Sequence, residues 1–148
     1  MRDIKTQRIS SESGLTLVEL LAVIVILGII AAIAVVAGGS VIQKSRTQAF
    51  ISNAYAFKES AVYFVKDKEL HGNTVPEKIT YSELLEAGYL EEVKDPDTGE
   101  RWPSDNGSYI KVENNKPAAI CLIGKKRQLC TDDGPVPFGG LSEGDILE

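Results

Sequence analysis

A single carboxylate stands at the head of a long apolar run. Glu19 follows Gly14-Leu15-Thr16-Leu17-Val18 and precedes Leu20 to Gly39, twenty successive residues without a side-chain charge or hydrogen-bonding group. An ionised group at bilayer depth costs about 2.5 to 3.5 kcal/mol or more unless it reaches water or a partner. Glu19 therefore either snorkels to an interface or meets a cation. Two further residues invite covalent chemistry: Cys121 and Cys130, an even count in the polar part of the chain. Behind an export signal such a pair oxidises to a disulfide, and two buried thiols are the alternative. Two cysteines and the one histidine, His71, do not make a four-ligand metal site. Catalytic sets are missing from the sequence: it has no Gly-rich phosphate loop, no Gly-x-Ser-x-Gly and no His-Glu-x-x-His. The sequence thus reads as a building block rather than an enzyme.

The elements that must position these residues follow from an uneven composition. The chain has 148 residues and a net charge of −5, which gives the whole molecule no electrostatic reason to bind a phosphate backbone. Twenty apolar residues at about 1.5 Å each span the roughly 30 Å hydrocarbon core of a bilayer. The stretch is too long for the apolar core of a secretory signal, so a spanning anchor is expected. Arg2, Lys5 and Arg8 before it balance Lys44, Arg46 and Lys58 after it, so loop charge does not fix its orientation. Beyond Lys44, the residues Phe50, Ala54, Phe57, Ala61 and Phe64 recur at spacings of three and four, the pattern of a helix with one buried stripe. One helix from about Thr16 to Leu70 is predicted, roughly 80 Å long at the standard rise. His71 and Gly72 supply its stop. Gly38 and Gly39 mark a place to bend or melt, or alternatively to pack closely against another helix.

The remaining head, 72–148, is small enough to need support beyond its own core. Tyr81 to Ala87 reads as a short helix with Thr80 or Ser82 as N-cap and Gly88 as stop. Asp95-Pro96-Asp97-Thr98-Gly99 is a turn-rich loop. Tyr109 to Glu113, Ala118 to Ile123 and Arg127 to Thr131 form a three-stranded antiparallel meander, turning at Asn114-Asn115 and Gly124-Lys125-Lys126. With Lys125 and Lys126 at the turn centre, Cys121 faces Cys130 across the hairpin. Asp132 to Gly140 reads as an irregular surface loop. Lys125-Lys126-Arg127 reads as a solvated hairpin tip, with contact to DNA phosphates as the alternative.

Gly14-Leu15-Thr16-Leu17-Val18-Glu19-Leu20-Leu21 resembles the prepilin signal of type IV pilins and of the pseudopilins of type II secretion and DNA-uptake machines. Four features coincide in register: a hydrophilic leader, a glycine, a glutamate five residues later, and a long apolar run. The sequence departs from the family in carrying Leu15 where Phe is commonest, and in lacking a proline in the apolar helix. A softer likeness to the family's connecting region covers Leu84 to Leu90 and Asp95-Pro96. The resemblance implies cleavage between Gly14 and Leu15 by a prepilin peptidase at the cytoplasmic membrane, removing 14 of the 148 residues and leaving 134. It also implies N-methylation of Leu15 and an assembly role for Glu19, which would neutralise the amino terminus of a neighbouring subunit and so set register.

The expected architecture is α+β and pilin-like, with leader 1–14, transmembrane and assembly helix 15–39, amphipathic continuation 40–71 and globular head 72–148. The expected function is a structural subunit of a type IV pilus, or fimbrium. It would be stored in the cytoplasmic membrane and then extruded to the cell surface by a pilus assembly machine, with copies of itself and other pilins as partners. A pseudopilin of a DNA-uptake or type II secretion system is the alternative within the family. A signal-anchored monomeric surface binding module is the alternative outside it. No cofactor is expected. Secretion pseudopilins use a loop of acidic residues for calcium, which raises the question for Asp95, Asp97, Asp132, Asp133 and Asp145, but their spacing does not match an EF-hand.

Overall fold

A computed structural model describes residues 16–147, apart from the side chains of Val36 and Ala37. The leader, Gly14 and Leu15 lie outside the described residues. The chain divides between Ser40 and Val41 into two compact units. Helix α1, Leu17–Leu70, begins in the first and ends in the second. It includes Gly38 and Gly39 as helical residues, so the melt that two adjacent glycines invite does not occur there.

In the first unit α1 is apolar all round, and its large side chains from Leu17 to Val35 are exposed. In the second unit the stripe does what its spacing demands: Phe50, Ala54, Phe57 and Ala61 are fully buried, with Phe64 and Val65 nearly so. The helix stops with Gly72 at φ 67°, where the Gly72 N–H donates to the Glu69 carbonyl and the Asn73 N–H to the Lys68 carbonyl. That pattern satisfies two of the last carbonyls of α1.

The head adds β1 (Lys78–Thr80), α2 (Tyr81–Glu86), β2 (Tyr109–Glu113), β3 (Lys116–Ile123), β4 (Gln128–Thr131) and β5 (Gly134–Pro137). Thr80 caps α2 in a reciprocal box with Glu83, which selects Thr80 over Ser82. Asn114 and Asn115, at φ 51° and 57°, form the two-residue turn between β2 and β3 that left-handed residues favour.

The sheet has five antiparallel strands in the order β1-β2-β3-β4-β5, with β5 also pairing to β3, rather than the three of the predicted meander. β1 has only three residues, too few to show alternation, yet Ile79 is fully buried opposite Ile110. β5 replaces the expected surface loop. Pro135 and Pro137 cannot donate to a ladder, so they conceal the strand in sequence, but Val136 pairs with Ile120 and is buried. A last single bridge joins Leu147 to Gln128.

The core lies between the α1 stripe and one sheet face. Trp102 is its centre, with ring centroids 5.9 Å from Phe50, 6.2 Å from Phe57 and 6.3 Å from Tyr81.

Candidate assembly site

The first residues of α1 build the site. Thr16 immediately precedes the helix, and its backbone N–H and hydroxyl donate to Glu19 Oε2 at 2.8 and 2.9 Å. The Glu19 N–H donates back to Thr16 Oγ1 at 3.3 Å. This is a capping box: Glu19 satisfies donors at the positive end of a helix dipole, where a carboxylate is favoured. The box leaves Glu19 Oε1 without a hydrogen-bond partner among the described residues. Sequence reasoning singled out Glu19 but missed Thr16. The signal was available, since Thr16-Leu17-Val18-Glu19 before an apolar run is a capping-box pattern.

Beyond the cap the site is a continuous apolar surface. Leu17 is 83% exposed, Val25 54% and Val35 77%, and the most apolar window of the helix has no buried residue. Soluble monomers rarely expose contiguous apolar patches above a few hundred Å². A helix greasy on every side fits lipid, or a bundle of similar helices, as its surroundings. By length and composition α1 is able to cross a membrane.

Two charged residues of the head, Asp95 and Arg127, are buried. Asp95 is 2% exposed. Its Oδ1 accepts the N–H groups of Asp97 and Thr98 at 2.9 and 3.0 Å, and its Oδ2 accepts the Trp102 indole N–H at 2.9 Å and the Lys125 N–H at 2.7 Å. Burial pushes this carboxyl up, but those hydrogen bonds, led by Lys125 and Trp102, outweigh it and hold the group below the usual carboxylate range.

Arg127 corrects the expectation of a solvated hairpin tip. It is 5% exposed and donates to Asp97 Oδ2 at 2.8 Å, to Thr47 Oγ1 at 2.6 Å and to Gln43 Oε1 at 2.7 Å. Arg46 adds a longer contact to Asp97, at 3.8 Å. Only Lys125 and Lys126 of the basic cluster are exposed. The misreading has a physical cause: a turn position predicts exposure, and nothing local says that the second-unit part of α1 passes beside the turn. Gly124 shows how close the approach is, for a Cβ there would lie 2.8 Å from the Phe50 ring and 3.0 Å from Asp95 Oδ2.

The candidate calcium carboxylates do not converge. Asp95 and Asp97 are engaged as described, Asp132 and Asp133 sit exposed at the β4–β5 turn, and Asp145 accepts from the Ser142 N–H at 2.7 Å. No group of three or more His, Cys, Asp or Glu ligands gathers among the described residues. Cys121 and Cys130 form a disulfide across β3 and β4, with Cα atoms 4.5 Å apart, in the register that the turn centre predicted.

Residues 9–35 match the family model described as the prokaryotic N-terminal methylation motif, the type IV prepilin-like signal. The matched segment holds Gly14, Leu15, Thr16, Glu19 and most of the exposed apolar surface. It is a structural motif and not an enzyme class. No curated protein and no solved structure matches the chain.

Proposed function

We propose that this chain is the precursor of a filament subunit, a type IV pilin. In this reading it is cut between Gly14 and Leu15 by a prepilin peptidase, methylated on Leu15, held in the cytoplasmic membrane by α1 and then polymerised through that helix into a surface filament. The observation that carries the reading is a coincidence of register. The methylation motif at 9–35 covers the capped start of a helix whose apolar side chains are exposed on all sides. A processing signal and an unpartnered assembly surface occupy the same residues.

Glu19 gains a specific role here. Its cap leaves Oε1 free among the described residues, and in this reading the methylated amino group of a neighbouring subunit supplies the cation that it accepts. A subunit inserted at the wrong axial offset would strand this carboxylate in a low-dielectric bundle, at a cost of several kcal/mol. The disulfide suits a small head that works outside the cytoplasm, in a pilus or in the pseudopilus of a secretion or DNA-uptake machine.

Mass spectrometry of the mature chain should find 134 residues beginning with N-methylated Leu15, as removal of 14 of 148 requires. A mature chain that keeps Met1 would instead indicate a tethered binding module. Glu19→Ala should reduce sheared filaments at least about tenfold, equivalent to about 1.4 kcal/mol per subunit addition, while leaving the membrane pool unchanged. Normal filaments from that variant would remove Glu19 from assembly.

A further inference from the structure

The head carries an unsatisfied basic cleft and, at a separate place, an unsatisfied acidic tip. The cleft, of about 490 Å³, lies between α1 and the β2–β3 turn and is lined by Lys58, Val62, Lys66, Glu69 and Lys116, among others. Lys58 rests over the Phe138 ring at 4.9 Å, and Glu69 accepts from the Asn115 side-chain amide at 2.9 Å. Lys66 and Lys116 are exposed and have no ion-pair or hydrogen-bond partner among the described residues. Both line the same concave surface, together with the apolar Val62, Val65 and Pro117.

The acidic tip is the two-residue turn Asp132-Asp133 between β4 and β5, closed by the pairs Thr131 with Gly134 and Cys130 with Pro135. Both aspartates are exposed, and neither has an ion-pair partner among the described residues. No Lys or Arg follows Arg127 in the sequence, whereas Asp132, Asp133, Glu143, Asp145 and Glu148 do. The imbalance is built into the chain's last part.

The geometry points to a head-to-tail contact in which the Asp132-Asp133 turn of one copy docks in the lysine cleft of the next. It rests on the filament reading and deepens it by naming a second surface of assembly, in the heads. Two different, complementary patches on one chain make a heterologous interface, which propagates and does not close on itself. Charge complementarity selects a second copy of this chain. A polyanion such as DNA would use the lysines but would be repelled by the aspartates and by the net charge of −5. Exposed pairs are individually weak and screened by salt, so the contact steers and registers heads that the apolar helices hold together.

The test uses the full chain in cells that assemble it. Zero-length carbodiimide coupling of wild-type filaments should join Lys66 or Lys116 of one copy to Asp132 or Asp133 of another, identified by mass spectrometry of cross-linked peptides. The double reversal Lys66→Glu, Lys116→Glu should lower filament yield about tenfold, and Asp132→Lys, Asp133→Lys should do the same. All four changes together should restore most of the yield, which also guards against a variant that merely fails to fold. If wild-type filaments form but give no such cross-link, and reversal leaves their yield unchanged, the contact is wrong while the filament reading stands. Loss from the lysine reversal without rescue by the aspartate reversal would assign the cleft to another anion, such as DNA, and overturn the pairing. A wild-type chain that is processed but makes no filaments would overturn both.

Discussion

At the scale of single residues, Asp95 shows how a small head holds a polar group inside. Four N–H donors from three stretches of chain meet on its two oxygens, so the carboxylate ties the 95–102 loop to the β3–β4 turn. Its folded pKa is depressed, so the stabilisation it provides is whole above the pH at which an unfolded aspartate ionises, about 3.9. That stabilisation is lost as pH falls through the lower folded value. Asp95→Asn should therefore destabilise the head by about 1 to 3 kcal/mol at pH 7 in urea unfolding. The gap between wild type and variant should narrow as pH drops below about 4. A gap that stays constant down to pH 2 would show that the charge on Asp95 contributes nothing. Sequence alone read Asp-Pro-Asp-Thr-Gly correctly as a turn, but it could not reveal that the first aspartate points inward, because the donors that make this affordable come from Trp102 and Lys125 as well as from the turn.

At the scale of elements, what could be read depended on length and periodicity. The α1 stripe repeats over four turns, and its phase alone named Phe50, Phe57 and Phe64 as buried. The Asn114-Asn115 turn and the Lys125-Lys126 turn centre set strand register well enough to bring Cys121 opposite Cys130. β1 and β5 escaped for opposite reasons: one is too short to have a period, and the other is disguised by prolines. Arg127 escaped because its partners, Gln43 and Thr47, lie more than seventy positions away along the chain.

The disulfide closes a loop with a sequence separation of 9, for which chain-entropy bookkeeping gives about 2 to 3 kcal/mol. The double variant Cys121→Ser, Cys130→Ser should lose about that much in denaturant unfolding and keep its circular-dichroism spectrum. An unchanged midpoint would mean that the five-stranded ladder already fixes the hairpin.

For the molecule as a whole, the two units differ in how much apolar surface they leave uncovered. Every residue of the core cluster lies at or after Phe50, and the partners of Arg127 begin at Gln43. A chain starting at Val41 should accordingly stay in solution without detergent and unfold cooperatively. The full chain should require detergent or lipid, because the apolar side chains from Leu17 to Val35 have no cover of their own. Sedimentation of both chains with and without detergent measures this. A full chain that remains monodisperse in plain buffer would mean that its greasy surface finds protection within the molecule.

The box between Thr16 and Glu19 bears on what the proposed removal of the leader would do to the helix. Helices generally fray where the chain is severed, because new loose ends compete with water for their first donors. Here the reciprocal bonds draw only on residues 16 to 19, so scission after Gly14 would discard nothing they use. The shortened protein would carry its own end-stop from the moment it is released, with its second residue as the cap and the helix wound from its third, needing no refolding before it meets a neighbour.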